Sequence, residues 1–329
     1  MEKKMSSAAV ARALGLSPTT VSRALSGKGR VSQQTQQQVL DYVRAHGGVR
    51  RREPEARPQS HNLALVIPPE FVTKDLPFLC KCMGGICRMA ARRDYDLLLC
   101  FADSKHPQGL ERQLAAQKVD GAILFRAQSG DACLDALRQH QVPYVLVGND
   151  GDRTSMQVDS DHAAAAQEMT RLLLRAGFTR IAYLGGNLDY AVNAQRLSGY
   201  RLALQRNRVM EAPELICTGV DNEERLAHAL TQILAHDPQC LLCGDDHLTC
   251  RALEWLHQAG VRVPEQLRLA SLYDSAQLQN ADPPVSAVHI DPDSLGMAAC
   301  RMLLTTLEGR PVERKSMQGY RIFMRRSTQ

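Results

Sequence analysis

The sequence predicts an N-terminal three-helix helix-turn-helix unit followed by an α/β core of two doubly wound parallel-sheet lobes. Three observations predict it. The stretch from Ala8 to Leu25 reads as two short helices joined at Gly15. From Asn62 onward, apolar runs of about five residues alternate with helix-length segments, the pattern of parallel α/β units. The basic charge is concentrated at one end: residues 1–62 hold eleven Lys or Arg against four Asp or Glu. They carry +7 of a chain total of +5, which leaves −2 for the rest.

The first helix is expected over Ser7–Leu14, with Val10, Ala11 and Leu14 facing inward and Gly15 providing the turn. Ser17 caps the second helix and Pro18 takes its first position, where the missing N–H costs nothing. Val21, Ala24 and Leu25 point inward. Thr19, Thr20, Ser22 and Arg23 are left outside near the helix N-terminus, placed to meet base edges and phosphates in a major groove. Helix pairs with a glycine turn are common and many bind nothing. Here a third helix, capped by Ser32, brings Val39, Leu40 and Val43 to close a small core, and the whole unit is basic, as a polyanion partner requires.

The run VARALGLSPTTVSRALSGKGRVSQQTQQQVL resembles the headpiece of the lactose-repressor (LacI/GalR) family of bacterial transcription regulators. The resemblance continues through RLLLRAGFTRIAYLGG, RLSGYRLAL, LHQAGVRVPEQLRLAS and LGMAACRMLL, in the family's order and spacing. It implies that Pro18, Thr19 and Arg23 read bases and that Thr20 and Ser22 lie near phosphates. Ser17, Arg30, Arg50, Arg51 and Arg52 complete the expected DNA-contacting set.

Three segments follow from these boundaries: a DNA-binding domain over residues 1–48, a linker over 49–61 and a core over 62–329. The linker is rich in arginine and interrupted by Pro54 and Pro58. The family commonly has a hinge helix here that inserts a leucine into the minor groove. No leucine is present, so this linker is either a set of arginines for phosphates or a narrow minor groove, or a plain tether.

In the core, LALVI, DLLLCF, GAILF and YVLV are the first four strands, with helices over Phe78–Arg93, Gln108–Gln117 and Asp131–His140. After MQVDSD a second series begins and runs to the closing strand GYRIFM. The resemblance implies a core shaped like a periplasmic sugar-binding protein, crossing between lobes near Asp159, His289 and Arg314. The first lobe then takes residues 62–159 and 290–314, and the second 160–288 and 315–329. A cleft between lobes, at the C-terminal strand ends, suits a small ligand.

Sugars require fixed polar groups against an apolar wall, because each hydroxyl taken from water needs a partner. By resemblance, Arg196 reaches the ligand, Asp245 is a polar contact where the family has Asn, and Phe78 lines the cleft. Asn149, Asp150 and Asn193 are further candidates. Where the family often directs an aspartate at the ligand, this chain has Tyr273 followed by Asp274. The tyrosine suits stacking on a sugar face, and Asp274 is a candidate for the polar role.

Ten cysteines give neither a metal site nor a disulfide framework. Cys240 and Cys243 fall in the apolar run CLLC, where an odd offset sends them to opposite strand faces. Cys80 and Cys87 share a helix face without Cys82. No cofactor is expected, and the absence of a membrane-length apolar run and of a signal peptide points to the cytoplasm. The expected partners are double-stranded operator DNA, a sugar-like effector and a second copy of the chain, without a coiled-coil tail for a tetramer. Two other functions compete. A solute-binding sensor with no regulatory role leaves the N-terminal unit unexplained. An enzyme lacks a phosphate loop, a GxSxG elbow or a metal cluster, and only His247 beside Asp245 and Asp246 looks catalytic.

Overall fold

The computed structural model describes residues 7–26, 31–45, 59–69, 77–125, 130–152 and 154–329, with side chains at all of these except 7, 8, 22 and 26. The chain divides into two compact units, residues 1–59 and 60–329.

The first unit contains α1 (Ser7–Leu14), α2 (Pro18–Ser26) and α3 (Gln33–Ala45). Gly15 adopts φ +66°, a conformation that L side chains rarely take, and Leu16 N–H returns to the Ala11 carbonyl at 2.9 Å. Ser17 Oγ accepts the Thr20 N–H at 3.0 Å and Ser32 Oγ the Thr35 N–H at 3.1 Å, so α2 and α3 each start on a serine cap. Val10, Ala11, Val21, Ala24 and Val39 form the buried centre. Leu40 stays outside this cluster, against expectation. Tyr42 and Val43 pack against it instead, since positions three and four beyond Val39 fall on its helix face.

The second unit begins with β1 (Asn62–Ile67), α4 (Pro77–Ala91), β2 (Asp96–Phe101), α5 (Gln108–Ala115), β3 (Gly121–Phe125), α6 (Ala132–Gln139), β4 (Tyr144–Val147) and β5 (Met156–Ser160). It continues with α7 (His162–Arg175), β6 (Ile181–Leu184), α8 (Ala191–Arg206), β7 (Ile216–Cys217), α9 (Glu223–Leu234), β8 (Cys240–Cys243), α10 (Asp246–Gln258), β9 (Arg268–Ser271) and α11 (Ala276–Gln279). Then come β10 (Ser286–Ile290), α12 (Pro292–Leu307), β11 (Lys315–Gln318) and β12 (Tyr320–Phe323).

These strands form two six-stranded sheets, ordered β11-β5-β4-β3-β1-β2 and β12-β10-β9-β8-β6-β7. The first is parallel throughout; the second is parallel except for β12, which runs antiparallel to β10. Strand residues alternate between separate cores. Leu63, Leu65 and Ile67 join one cluster while Ala64 and Val66 join another, as burial on both sheet faces requires. Cys240 and Cys243 likewise enter different clusters, and all ten cysteines are unpaired thiols.

The chain passes between lobes at Asp161, at Asp291 and at Gly319. The third passage corrects the expected position near Arg314. Lys315–Gln318 pairs with Gln157–Ser160 in the first sheet, so these four residues belong to the first lobe and only the strand after Gly319 returns to the second.

Candidate functional site

The C-terminal ends of both sheets face one cavity, open to solvent at its mouth. The first lobe supplies Phe78 and Leu79 from the start of α4, Phe125 from the end of β3, Val147, Gly148 and Asn149 after β4, and Asp159 near the end of β5. Facing them from the second lobe are His162, Tyr190, Arg196, Asp245, Asp246, His247 and Tyr273. One wall is therefore mostly apolar and the other mostly polar.

Arg196 lies on α8 and is only 6 % exposed. Its helix is held close to α7 because Gly199, one turn on, faces the Ala163 carbonyl where any Cβ collides. The guanidinium is near enough to His162 and Tyr273 to disfavour a proton on the first and favour ionisation of the second. Burial still dominates at Tyr273 and holds its phenol well above the ordinary range. Phe78 meets the Tyr273 ring edge-on at 5.6 Å, a favoured aromatic geometry that ties the two lobes' walls together.

Asp159 Oδ1 accepts the Ser160 N–H at 2.9 Å and lies 3.1 Å from His162 Nε2. An ionised carboxylate only accepts, so a neutral His162 carries its proton on Nε2. Its Nδ1 is buried with no hydrogen-bond partner among the described residues, and burial lowers the imidazole pKa.

Asp245 caps α10, accepting the Leu248 N–H at 2.8 Å. Asp246 follows at the first helical position, and burial, with Asp245 beside it, raises its pKa despite hydrogen bonding from Ser275.

Of the eight residues expected at the ligand, Phe78, Asn149, Arg196, Asp245 and Tyr273 thus border one cavity. Asp150, Asn193 and Asp274 do not, and Asp150 accepts from Ser155 and Gln157 instead. Asn193 turns its amide to the Asn187 carbonyl at 2.7 Å and braces the loop before α8. Asp274 is buried under the second lobe, where Arg325 grips both carboxylate oxygens at 2.9 and 2.8 Å and Gln279 adds a bond at 3.0 Å. Its carboxylate oxygens are engaged by Arg325 and Gln279 rather than by the cavity. Sequence reasoning passed over Asp159, His162, Tyr190 and Asp246 as ligand-facing groups. Position at a strand end was the available signal for Asp159, and none marked His162.

In the N-terminal unit, Ser17, Pro18, Thr19 and Arg23 are exposed on α2 or its cap, and Thr20 is half-buried with its hydroxyl 2.8 Å from Ser17 Oγ. Arg30, Arg50, Arg51, Arg52 and the Ser22 side chain lie outside the described residues. Among the described residues, no group of three His, Cys, Asp or Glu is arranged for a metal, and no helix is long and apolar enough to cross a membrane.

Residues 8–47 match the family described as bacterial regulatory proteins, lacI family, and residues 170–328 match the periplasmic binding protein-like domain. The HTH-type transcriptional regulator AscG of Escherichia coli (strain K12) is 29 % identical over 311 residues, covering 91 % of each chain. The HTH-type transcriptional regulator CelR of Thermobifida fusca is 27 % identical over 320 residues, covering 92 % of each. The solved structure of a CelR–cellobiose complex superposes with a TM-score of 0.76 at 26 % identity, over 97 % of this chain and 98 % of that one. These relatives are transcription regulators rather than enzymes.

Proposed function

Since the chain belongs to the lacI family of bacterial regulatory proteins, we propose that it represses carbohydrate-utilisation genes by binding a pseudopalindromic operator as a homodimer, with affinity set by a sugar-like effector between its lobes. The observation that carries this reading is the interlobe cavity, with Phe78, Leu79, Phe125 and Val147 on one side and Arg196, Asp245, His162 and Tyr273 on the other. A pyranose has the same two-sidedness, with C–H faces for Phe78 or Tyr273 and hydroxyl edges for the fork and the carboxylates.

The DNA side rests on α2. Its capped N-terminus presents Pro18, Thr19 and Arg23 at the surface, with Ser17 and Thr20 beside them. Recognition helices read base edges through residues at that end. Arg30 and the linker arginines Arg50, Arg51 and Arg52 add phosphate contacts, which supply affinity more than discrimination. A two-fold dimer repeats the half-site, and the edge strand β2 offers it a surface. Leu99 and Phe101 are 50 % and 51 % exposed there. Large apolar side chains side by side on a sheet edge favour a covering partner.

Among the described residues, three backbone passages join the lobes, at Asp161, Asp291 and Gly319, so closure on a ligand is a rotation about them. The effector acts by preferring one arrangement of the lobes over the other, as any coupling between two sites demands. The protein works in the cytoplasm, where its operator is.

Selection from a random DNA pool by the full-length protein, at about 0.15 M salt so that unspecific phosphate binding is screened, tests the reading. A recovered pseudopalindrome supports it, and the same selection with cellobiose, the ligand in the CelR complex, reports coupling. A pool with no consensus, with and without sugars, rejects it.

A further inference from the structure

Charge in the cleft is lopsided. Asp159, Asp245 and Asp246 border the cavity, and among the described residues Arg196 is the one Lys or Arg that does. A neighbouring hollow shares Phe125 and Tyr190 with the first and repeats the imbalance, with Asp103, Asp131 and Asp189 against Lys105. The stretches 70–76 and 126–129, which adjoin lining residues in sequence, hold Glu70, Lys74, Asp75 and Arg126 and cancel in formal charge.

Two of the helix N-termini that could attract anions here are already engaged by carboxylates. A helix N-terminus is a ready anion site, yet α10 opens into the cleft with the Asp245 carboxylate on its Leu248 N–H. At α7 the Asp161 carboxylate accepts the Ala164 N–H at 2.8 Å. His162 directs Nε2, its one N–H when neutral, to Asp159. Beside Arg196, His247 and the tyrosine hydroxyls, a ligand meets the carboxylates of Asp159, Asp245 and Asp246, which accept hydrogen bonds without giving any.

From this we infer that the cleft takes an uncharged, hydroxyl-rich sugar and excludes its phosphorylated and carboxylated derivatives. The inference rests on the interlobe cavity being the effector site. Each hydroxyl brings a hydrogen for Asp159, Asp245 or Asp246, while Arg196 and the N-terminus of α8, which no side chain caps, serve ring and hydroxyl oxygens. An anionic group brings no hydrogen and places like charge beside the carboxylates, a juxtaposition that proteins use to reject wrong partners.

Titration calorimetry on the full-length protein, with matched pairs, provides the test. The pairs are glucose with glucose 6-phosphate and with glucuronate, ribose with ribose 5-phosphate, and cellobiose with cellobionate. At least one neutral sugar is expected to bind, with its anionic counterpart weaker by about tenfold or more at low salt. The gap should narrow at high salt. It should also narrow in Asp245→Asn, which removes the charge while retaining a side chain suited to the helix cap. An anionic member binding more tightly than its neutral counterpart overturns the inference and locates an anion seat at Arg196 and the α8 N-terminus. If nothing binds while an operator is still selected, the sugar class is wrong and the regulator reading survives. If neither a ligand nor an operator is found, both fall.

Discussion

Asp159 and His162 are joined by a hydrogen bond of 3.1 Å across the first passage between the lobes: Asp159 belongs to the last consecutive strand of the first lobe and His162 opens the first helix of the second. The imidazole is 13 % exposed, and burial lowers its pKa below the ordinary 6.5, with Arg196 opposing a proton as well. Asp159 and Asp161 act in the other direction without overcoming burial.

This shift has a definite sign in stability. The unfolded chain binds a proton at this histidine more readily than the folded one does, so the site weakens the fold as pH drops from above 6.5 toward the depressed folded value. Urea unfolding from pH 8 to pH 5 is expected to show this loss. His162→Gln retains an N–H for Asp159 but does not titrate, so the stability difference between wild type and variant should change across that window. An identical pH slope in both proteins would show that His162 does not titrate there.

Arg23 is exposed on α2 and has one fixed consequence for sequence preference. Arg23→Ala is expected to cost about 1–3 kcal/mol on the selected operator and to relax discrimination at one base pair of each half-site. Fluorescence anisotropy on the operator and on scrambled DNA separates the alternatives. An equal loss on both sequences would assign Arg23 to phosphate alone.

For Arg196, burial at the cavity separates ligand response from DNA reading, which is carried by the other compact unit. Arg196→Ala is expected to lower affinity for the bound sugar at least tenfold, the scale of hydrogen bonds to a charged group. Operator affinity without ligand should stay within about twofold of wild type, since no α2 group changes. Arg196→Lys keeps the charge and loses the planar fork, so it should recover only part of the binding. An undiminished ligand response in the alanine variant would remove Arg196 from the site.

The exposed edge of β2 makes dimerisation a direct question. Leu99→Asp at a half-exposed position should leave monomer stability within about 0.5 kcal/mol. A charge within the proposed contact should shift the dimer toward monomer at micromolar concentration, read by sedimentation equilibrium. A dimer of unchanged affinity would place the interface elsewhere.

Strand and helix alternation was legible because parallel strands buried on both faces are continuous apolar runs, as in LALVI and GAILF. The third passage was not, because β11 is the edge segment KSMQ, exposed and half-buried in turn, and its membership is decided by pairing with residues 157–160. The site was legible where a residue follows a strand into the cleft, as Asp245 does after β8. It was illegible where a partner distant in the chain settles the role. Nothing near Asp274 announces Arg325, 51 residues further along the chain.

The reassignment of Asp274 can be tested against its expected role at the ligand. Its carboxylate is fully buried and paired with Arg325, which is 17 % exposed. Removing one member of a buried pair strands the other, so Asp274→Ala is expected to destabilise the core by about 3–5 kcal/mol. Asp274→Asn, which preserves shape and one acceptor, should cost less. Because neither residue borders the cavity, sugar affinity measured by calorimetry below the variant's unfolding temperature should stay within about twofold of wild type. A stable Asp274→Ala protein that has lost the sugar would return Asp274 to the effector site. A destabilised protein that keeps the sugar fixes its role as the anchor of the C-terminal segment.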